Sequence, residues 1–191
     1  MQHKATKFST RATVVTSVAA CAAVGIGLTG AMSASAEPRA AAPAQAVPSA
    51  VKDNATTTTD HLTIDAATRA AQAALDAAHK AGRQVSVAVV DRNGNTVVTL
   101  RGDGAGPQSY ESAIAKAYTS VSWNAPTSEL AKRLQTAPTL KDIPGTLFLA
   151  GGAPVDHDNA PIAGVGVAGA PSGDLDEQFA QAGVAAISNA R

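Results

Sequence analysis

Two short β-rich segments and the helix that follows them limit most strongly how this 191-residue chain can fold. β-Branched residues dominate both segments, 85–90 and 96–101, and the pair Asn93–Gly94 lies between them. Asn-Gly favours the positive backbone angles of tight hairpin turns, so the pattern predicts an antiparallel hairpin. The first segment is apolar on both faces apart from Ser86, which predicts a central strand covered on both sides.

Four segments around this hairpin have helical patterns. The first begins at Thr63, a predicted N-cap, and continues to about Lys80 before Gly82, with small apolar residues at helical spacing. A glycine-rich break over 102–107 leads into a second helix over about 108–123. A short third helix is predicted from 127 or 128 to about 134. The last is predicted from Asp174, as N-cap, to about Asn189.

Three more strands are predicted in the second half of the chain. They are the apolar segment 146–150, a short edge at 155–157 and the glycine-containing segment 161–168, with a turn at 151–154. The element order is then α-β-β-α-α-β-β-β-α. This order predicts an α/β protein of the α+β type, in which four helices pack on a mostly antiparallel five-stranded sheet.

The first 36 residues have the composition of a secretory signal peptide. Basic residues at 4, 7 and 11 precede an apolar segment over about 12–32, and Ala34-Ser-Ala36 supplies a cleavage motif. Two alternatives remain open: a membrane-spanning helix, which needs about 20 residues, and lipid attachment at Cys21. The absence of a basic cluster after the apolar segment favours cleavage. We therefore expect residues 1–36 to be removed and the protein to be secreted and extracellular.

The rest of the sequence divides into an arm and one domain. Residues 37–60 are mostly Ala, Pro, Ser and Thr and predict a disordered linker, and residues 61–191 predict a globular domain. After cleavage the chain keeps 12 basic and 15 acidic residues, a net charge of −3, which argues against nucleic-acid binding. We expect no membrane insertion of the mature chain. Its lack of Cys and Met excludes disulfides and sulfur ligands.

An ordered set of short motifs spans residues 62–190. The motifs are Asp91-x-x-Gly94, Lys116-Ala-Tyr-Thr119, Pro126-Thr-Ser-x-Leu130, Pro144-Gly145, Gly151-Gly-x-Pro154, Gly164-Val-Gly-Val-x-Gly169 and Asp176-Glu-x-x-Ala180. In this order they resemble the GlcG/HbpS family of haem-binding domains. The resemblance implies an octameric extracellular protein that binds haem b and iron and signals oxidative stress to a membrane sensor histidine kinase.

The resemblance also implies particular site residues. Many members have Pro-Gly-Gly where this chain has Pro144-Gly145-Thr146, and in the HbpS-like branch a threonine there is associated with the haem site. That role is carried onto Thr146. The branch also has acidic pairs linked to iron, of the form Asp/Glu-x-x-Glu. Asp174 and Glu177 satisfy this pattern. Glu111 supplies the first acid of a second such pattern, but Ile114 stands where the second acid would be.

Haem chemistry points to further candidates. Haem needs an apolar slot, cationic partners for its propionates and usually an axial donor. We expect this slot between the sheet and a helix, beside the third strand. Lys116, the only base on its predicted helix, is the candidate propionate partner, with a surface lysine as the alternative. Tyr110 and Tyr118 are candidate phenolate ligands, with packing in the pocket wall as the alternative.

Histidines are the remaining donors. His61, His79 and His157 are each candidate haem ligands, against the alternative of solvated or structural histidines. His157 stands between two aspartates, which makes it a candidate metal ligand as well.

The sequence lacks the motifs of familiar catalytic sites. It contains neither a Gly-x-Ser-x-Gly elbow nor the Lys-Ser/Thr of a phosphate loop, so we expect no enzyme. The expected function is a secreted haem- and iron-binding protein that serves as a redox- or haem-sensing accessory to the sensor kinase of a two-component system. The alternatives are a catabolic accessory domain or small-molecule enzyme of the GlcG type, and a purely structural oligomer.

Overall fold

The computed structural model describes residues 50–188, which form four α-helices and four β-strands. The predicted signal peptide and residues 37–49 lie outside the described residues. Within them, no helix is both long and apolar enough to cross a membrane. The elements are α1 (Ile64–Lys80), β1 (Ser86–Asp91), β2 (Thr96–Arg101), α2 (Pro107–Trp123), α3 (Thr127–Arg133), β3 (Gly152–His157), β4 (Ala160–Ala168) and α4 (Gly173–Ala185), with short 3-10 turns at Asp53–Ala55 and Pro138–Asp142.

The strands form one antiparallel sheet in the order β2-β1-β4-β3. The predicted hairpin is confirmed, with Val87 opposite Leu100 and Gly94 at a φ of +86° in the turn. The prediction that β1 is central is also confirmed, because β1 pairs with both β2 and β4 and residues 86–90 are buried.

The prediction of five strands is wrong, although the α+β class with four helices is confirmed. The apolar segment 146–150 is a loop rather than a strand. Side chains of α2, and not a neighbouring strand, anchor this loop. Leu147 donates its N–H to Thr119 Oγ1 (2.8 Å), and Phe148 packs edge-on against Trp123. The predicted turn at 151–154 instead opens β3, where Gly152 pairs with Gly166.

The two faces of the sheet are covered differently. On one face, α1 and α4 pack with their small side chains on valines of the central strands, among them Val87 and Val165. On the other face, α2 packs on glycines of β4. A methyl group added at Gly166 would collide with the carbonyl oxygen of Ala113, and one at Gly164 with that of Ala117. The backbone of α2 therefore lies directly against β4.

Two helix ends show how the caps compare with prediction. Thr63 caps α1 as predicted, accepting from Ala66 N at 3.2 Å. The N-cap of α4 is Ser172 and not Asp174, because the Ser172 hydroxyl accepts from Leu175 N at 3.3 Å. Asp174 instead lies exposed in the first turn of α4, where a carboxylate favours the helix dipole.

Candidate functional site

A buried ion pair joins α2 to α4. Lys116 is only 4% exposed; its Nζ lies 2.9 Å from Asp176 Oδ2 and donates also to the Val167 carbonyl at 3.0 Å. Burial raises the pKa of Asp176 and outweighs the opposing effects of Lys116 and of the Ala170 N–H. The surface-lysine alternative is therefore wrong. Two of the three ammonium donors are already committed to protein oxygens, which leaves little for a propionate.

A second buried carboxylate joins α4 to α3 and β3. Glu177, 7% exposed, accepts from the Ser128 N–H (2.9 Å) and hydroxyl (2.6 Å) and from Gly151 N (3.3 Å). Thr127 Oγ1 lies 3.4 Å from the same carboxylate and accepts from Gly152 N at 2.8 Å. Glu177 thus satisfies one backbone donor in the first turn of α3, where N–H groups have no intrahelical partners.

The predicted iron pair is divided between two environments. Asp174 is exposed whereas Glu177 is buried and hydrogen-bonded, and Glu111 lies exposed on α2. Among residues 50–188, no group of three or more His, Cys, Asp or Glu side chains is arranged to hold a metal ion.

Four of the sequence motifs meet in this one buried network. They contribute Lys116, Thr127, the amides of Gly151 and Gly152, and the adjacent acids at 176 and 177. Every buried side-chain nitrogen and oxygen in the described part of the chain has a hydrogen-bond partner. The motifs therefore serve first to fix α2, α3, α4 and β3 relative to one another. Beside the ion pair lies an open pocket of about 300 Å³, whose rim includes the exposed Leu149.

Tyr118 and the segment that carries Thr146 lie together on the outer side of α2. A methyl group at Gly94 would come within 2.9 Å of the Tyr118 ring, and one at Gly145 within 3.7 Å. The ring therefore lies between the hairpin turn and the loop before β3. Thr146 follows Gly145 directly, is partly exposed, and donates its hydroxyl proton to the Ile143 carbonyl at 2.8 Å.

Tyr110 lies apart from Tyr118. It is eight residues earlier on α2, about 12 Å along the helix axis, and its hydroxyl is 3.4 Å from Thr99 Oγ1 of β2. It is 38% exposed. The two tyrosines therefore do not form one site.

Two adjoining pockets form a crevice around His157 at the turn between β3 and β4. Their volumes are about 520 and 280 Å³, and Leu62, His157 and Ile162 line both. His61 lines the smaller pocket, with its Nε2 3.1 Å from Thr59 Oγ1. The His157 side chain is 58% exposed and 3.7 Å from the Asp158 carboxylate. Sequence reasoning did not bring these two histidines together, since 96 positions separate them and no spacing rule links them.

Two regions among the described residues offer side chains of the kinds that contact haem. The Thr146 hydroxyl gives its proton to Ile143, so its oxygen keeps lone pairs for a ligand, and the Tyr118 ring lies nearby. None of the three pockets above is lined by Thr146 or Tyr118. The surface there is open, with Ile143 40% exposed, and it differs from the predicted slot beside a third strand. The histidine crevice offers an imidazole among both apolar and acidic side chains.

Comparisons with known proteins agree on one family. A family model described as haem-degrading HbpS-like proteins matches residues 62–185. The chain is similar to a crystal structure of a double mutant of HbpS from Streptomyces reticuli, with 71% identity over 75% of this chain and 99% of that one (TM-score 0.74). A second HbpS crystal structure matches with 72% identity over 74% of this chain and 100% of that one (TM-score 0.73).

A more distant match contains the cofactor. The crystal structure of a PduOC–haem complex shares 28% identity over 67% of this chain and 96% of that one, with a TM-score of 0.62. No curated protein matches. The family model covers more than half of the chain, and the HbpS structures cover most of the described residues. The chain therefore belongs to the HbpS-like family.

Proposed function

We propose that this protein binds haem b on the surface formed by Tyr118 and Thr146. The observation that carries the proposal is the Thr146 hydroxyl: its proton is donated to Ile143, and its oxygen stands next to the segment that contacts the Tyr118 ring. Membership of the family and the haem complex of PduOC support haem as the ligand. Bound there, the haem would supply an iron centre open to redox chemistry.

Each residue of this surface has a separate task. Thr146 provides an oxygen donor, Tyr118 an aromatic face, and Ile143 an exposed apolar side chain beside them. Aromatic and aliphatic contacts of this kind remove porphyrin surface from water. Lys116 acts behind this surface as a structural ion pair with Asp176.

A haemin titration of the purified protein tests the proposal. We expect a saturable Soret change near one equivalent. A Thr146→Ala variant should bind about 10-fold more weakly because it lacks the oxygen donor proposed for the iron. His157→Ala, in the crevice at the other end of β3, is the matched control and should bind as the wild type does. Unsaturable absorbance would contradict haem binding, and loss confined to His157→Ala would move the haem to the crevice.

We also propose that the protein is exported and forms octamers. The composition of residues 1–36 supports export. The open surface at Thr146 supports assembly, because a neighbouring subunit could cover the haem face that one chain leaves in water. Mass spectrometry of culture medium should find a chain beginning near residue 37. Light scattering of that chain should give eight copies, and a monomer would contradict the assembly.

The signalling role rests on the family resemblance. We propose that the haem-loaded protein acts on a membrane sensor histidine kinase of a two-component system. Autophosphorylation of a co-encoded kinase in membrane vesicles should change when haem-loaded protein is added, and the Thr146→Ala variant should fail to change it. An equal response to both forms would contradict haem sensing.

For iron outside haem, we propose that the exposed Asp174, Glu111 and His157 bind weakly and independently. Glu177 already accepts hydrogen bonds from α3 and β3, so a metal there would compete with them. In an iron titration, Asp174→Asn should lower the number of ions bound. Glu177→Gln should instead lower the melting temperature.

The family description supports a second function, in which bound haem is degraded rather than only held. We propose that the protein is not an enzyme and that its haem survives. The test adds hydrogen peroxide as oxidant and follows the Soret band of the haem complex. The same measurement on the haem complex of Thr146→Ala is the comparison. Faster decay and iron release in the wild type would establish degradation.

A further inference from the structure

Thr119 connects the helix that carries Tyr118 to the segment that carries Thr146. It is completely buried on α2, directly after Tyr118. Its hydroxyl donates to the Ala115 carbonyl at 2.7 Å and accepts from Leu147 N at 2.8 Å. One hydroxyl thus uses both its donor and its acceptor capacity.

The hydrogen bond that Thr119 accepts from Leu147 N acts directly beside Thr146. Leu147 follows Thr146 in the chain, so fixing the Leu147 amide fixes the peptide plane that leaves Thr146. On the other side, the Thr146 hydroxyl and amide both donate to the Ile143 carbonyl, at 2.8 and 3.3 Å. The orientation of Thr146 is therefore set from both sides.

The segment has little else to fix it. Residues 146–150 belong to no strand, so ladder hydrogen bonds do not define their position. The next residue anchored on α2 is Phe148, which packs on Trp123 through apolar contact. Apolar contact holds a loop down without setting the rotation of its peptide planes, whereas a hydrogen bond is directional.

We infer that Thr119 is a positioning residue for haem: its hydroxyl sets the direction in which Thr146 presents its oxygen. This inference rests on the proposed haem site at Thr146. Groups that orient a metal ligand from behind commonly change metal affinity 10- to 100-fold when they are removed. The inference predicts an effect of Thr119 on haem that operates through Thr146.

The test compares two substitutions, one with nearly the shape of threonine and one with its hydroxyl. Thr119→Val keeps the shape and removes both hydrogen bonds, whereas Thr119→Ser keeps the hydroxyl. In haemin titrations, Thr119→Val should bind about 10-fold more weakly and shift the Soret maximum toward that of Thr146→Ala. Thr119→Ser should restore the wild-type maximum and affinity to within about 2-fold.

A double mutant separates positioning from general loosening of the fold. If Thr119 acts through Thr146, then Thr119→Val combined with Thr146→Ala should bind haem no more weakly than Thr146→Ala alone. Ser120→Ala is the stability control. Ser120 is equally buried on α2, donates to the Ala117 carbonyl at 2.9 Å and faces Gly164 rather than the loop. It should lower the melting temperature and leave haem affinity unchanged.

The possible failures are distinguishable. Wild-type affinity in Thr119→Val, or additive losses in the double mutant, would overturn this inference and leave the haem site standing. If Ser120→Ala weakens haem binding as much as Thr119→Val does, stability alone controls affinity. That result would also overturn this inference. Absence of saturable binding by the wild type would overturn the haem site and this inference together.

Discussion

The two faces of the sheet are packed in different ways. The face under α1 and α4 is filled by side chains, with valines of β1 and β4 against helix alanines. On the face under α2, glycines of β4 admit the helix backbone itself. Two successive residues of β4, Val165 and Gly166, face these two sides of the sheet. Packed side chains fill the first face, whereas direct contact between the α2 backbone and β4 defines the second.

The difference explains where the candidate site lies. α2 carries Tyr118, Thr119 and the buried Lys116, and its contact with the glycines fixes its depth and rotation on the sheet. Polar partners then meet at hydrogen-bond distance on both sides of that helix. Hydrogen bonds require a defined distance and direction, so polar groups placed by this backbone contact lose their partners if the helix shifts.

The largest expected effect is the loss of the ion pair under α2. Lys116→Met leaves the Asp176 carboxylate buried without its partner, which should lower the free energy of unfolding by about 3–5 kcal/mol. The raised pKa of Asp176 should rise further. A raised acid pKa favours the folded state below the unfolded value and loses that benefit as pH rises through the folded value. The deficit should therefore be largest at neutral pH and shrink toward acid in urea unfolding.

Its control is the double substitution Lys116→Met with Asp176→Leu. Replacing both charges by apolar groups removes the unpaired carboxylate and should recover most of the lost stability. A double mutant as unstable as the single one would mean that the ion pair is not the cause.

The second effect tests the close approach directly. Gly166→Ala adds one methyl group where the Ala113 carbonyl already lies, and the backbone of α2 must move. We expect about 3 kcal/mol of destabilisation by chemical denaturation. We also expect weaker haem binding, because Tyr118 and Thr119 move with the helix. A neutral result would show that α2 adapts freely.

The neighbouring residue gives the opposite test. Val165→Ala removes two methyl groups from the side-chain-filled face and should cost about 2–3 kcal/mol through lost burial and a cavity. Haem affinity, measured below the melting transition, should not change. A loss of affinity equal to that of Gly166→Ala would remove the functional distinction between the faces.

The smallest expected effect is at the hairpin turn that contacts Tyr118. Asp91 accepts from the Asn93 and Asn95 amides, both at 2.8 Å. Burial opposes its charge, but hydrogen bonds from Asn95 and Asn93 outweigh it and lower the pKa of Asp91. Asp91→Ala should cost about 1 kcal/mol at pH 7. Because a lowered acid pKa stabilises only above the unfolded value, the gap should close as pH falls through the folded pKa, below 3.8.

The measurement is urea unfolding of both proteins from pH 7 to pH 3. Asp103→Ala, at an exposed aspartate of the loop after β2, is the control and should show little change at any pH. A gap of the same size at every pH would assign the effect to packing instead of charge.

Local patterns predicted most of the fold. The hairpin, β4, α1, α2 and α3 follow from periodicity, an Asn-Gly turn and a threonine cap, which are short-range signals. The segment 146–150 is as apolar as a strand, and only tertiary contacts with Thr119 and Trp123 decide against one. The turn-like Gly152 is the first residue of β3, and it and Gly151 both lie against Lys116 of α2.

The candidate site was less accessible from the sequence. Lys116 and Asp176 are 60 positions apart, and no spacing rule links a lysine on one helix to an acid on another. Resemblance selected Thr146 and haem chemistry selected Tyr118, whereas Thr119 was found only from its hydrogen bond to Leu147 N. His61 and His157 come together only through the fold.

The position of the iron in crystals of the haem complex tests the central claim most directly. Anomalous scattering at the iron edge locates the metal without interpretation of the porphyrin density. We predict a peak beside the Tyr118 ring, within coordination distance of Thr146 Oγ1. A peak at His157 in the crevice, or haem-soaked crystals without any ordered iron, would contradict it.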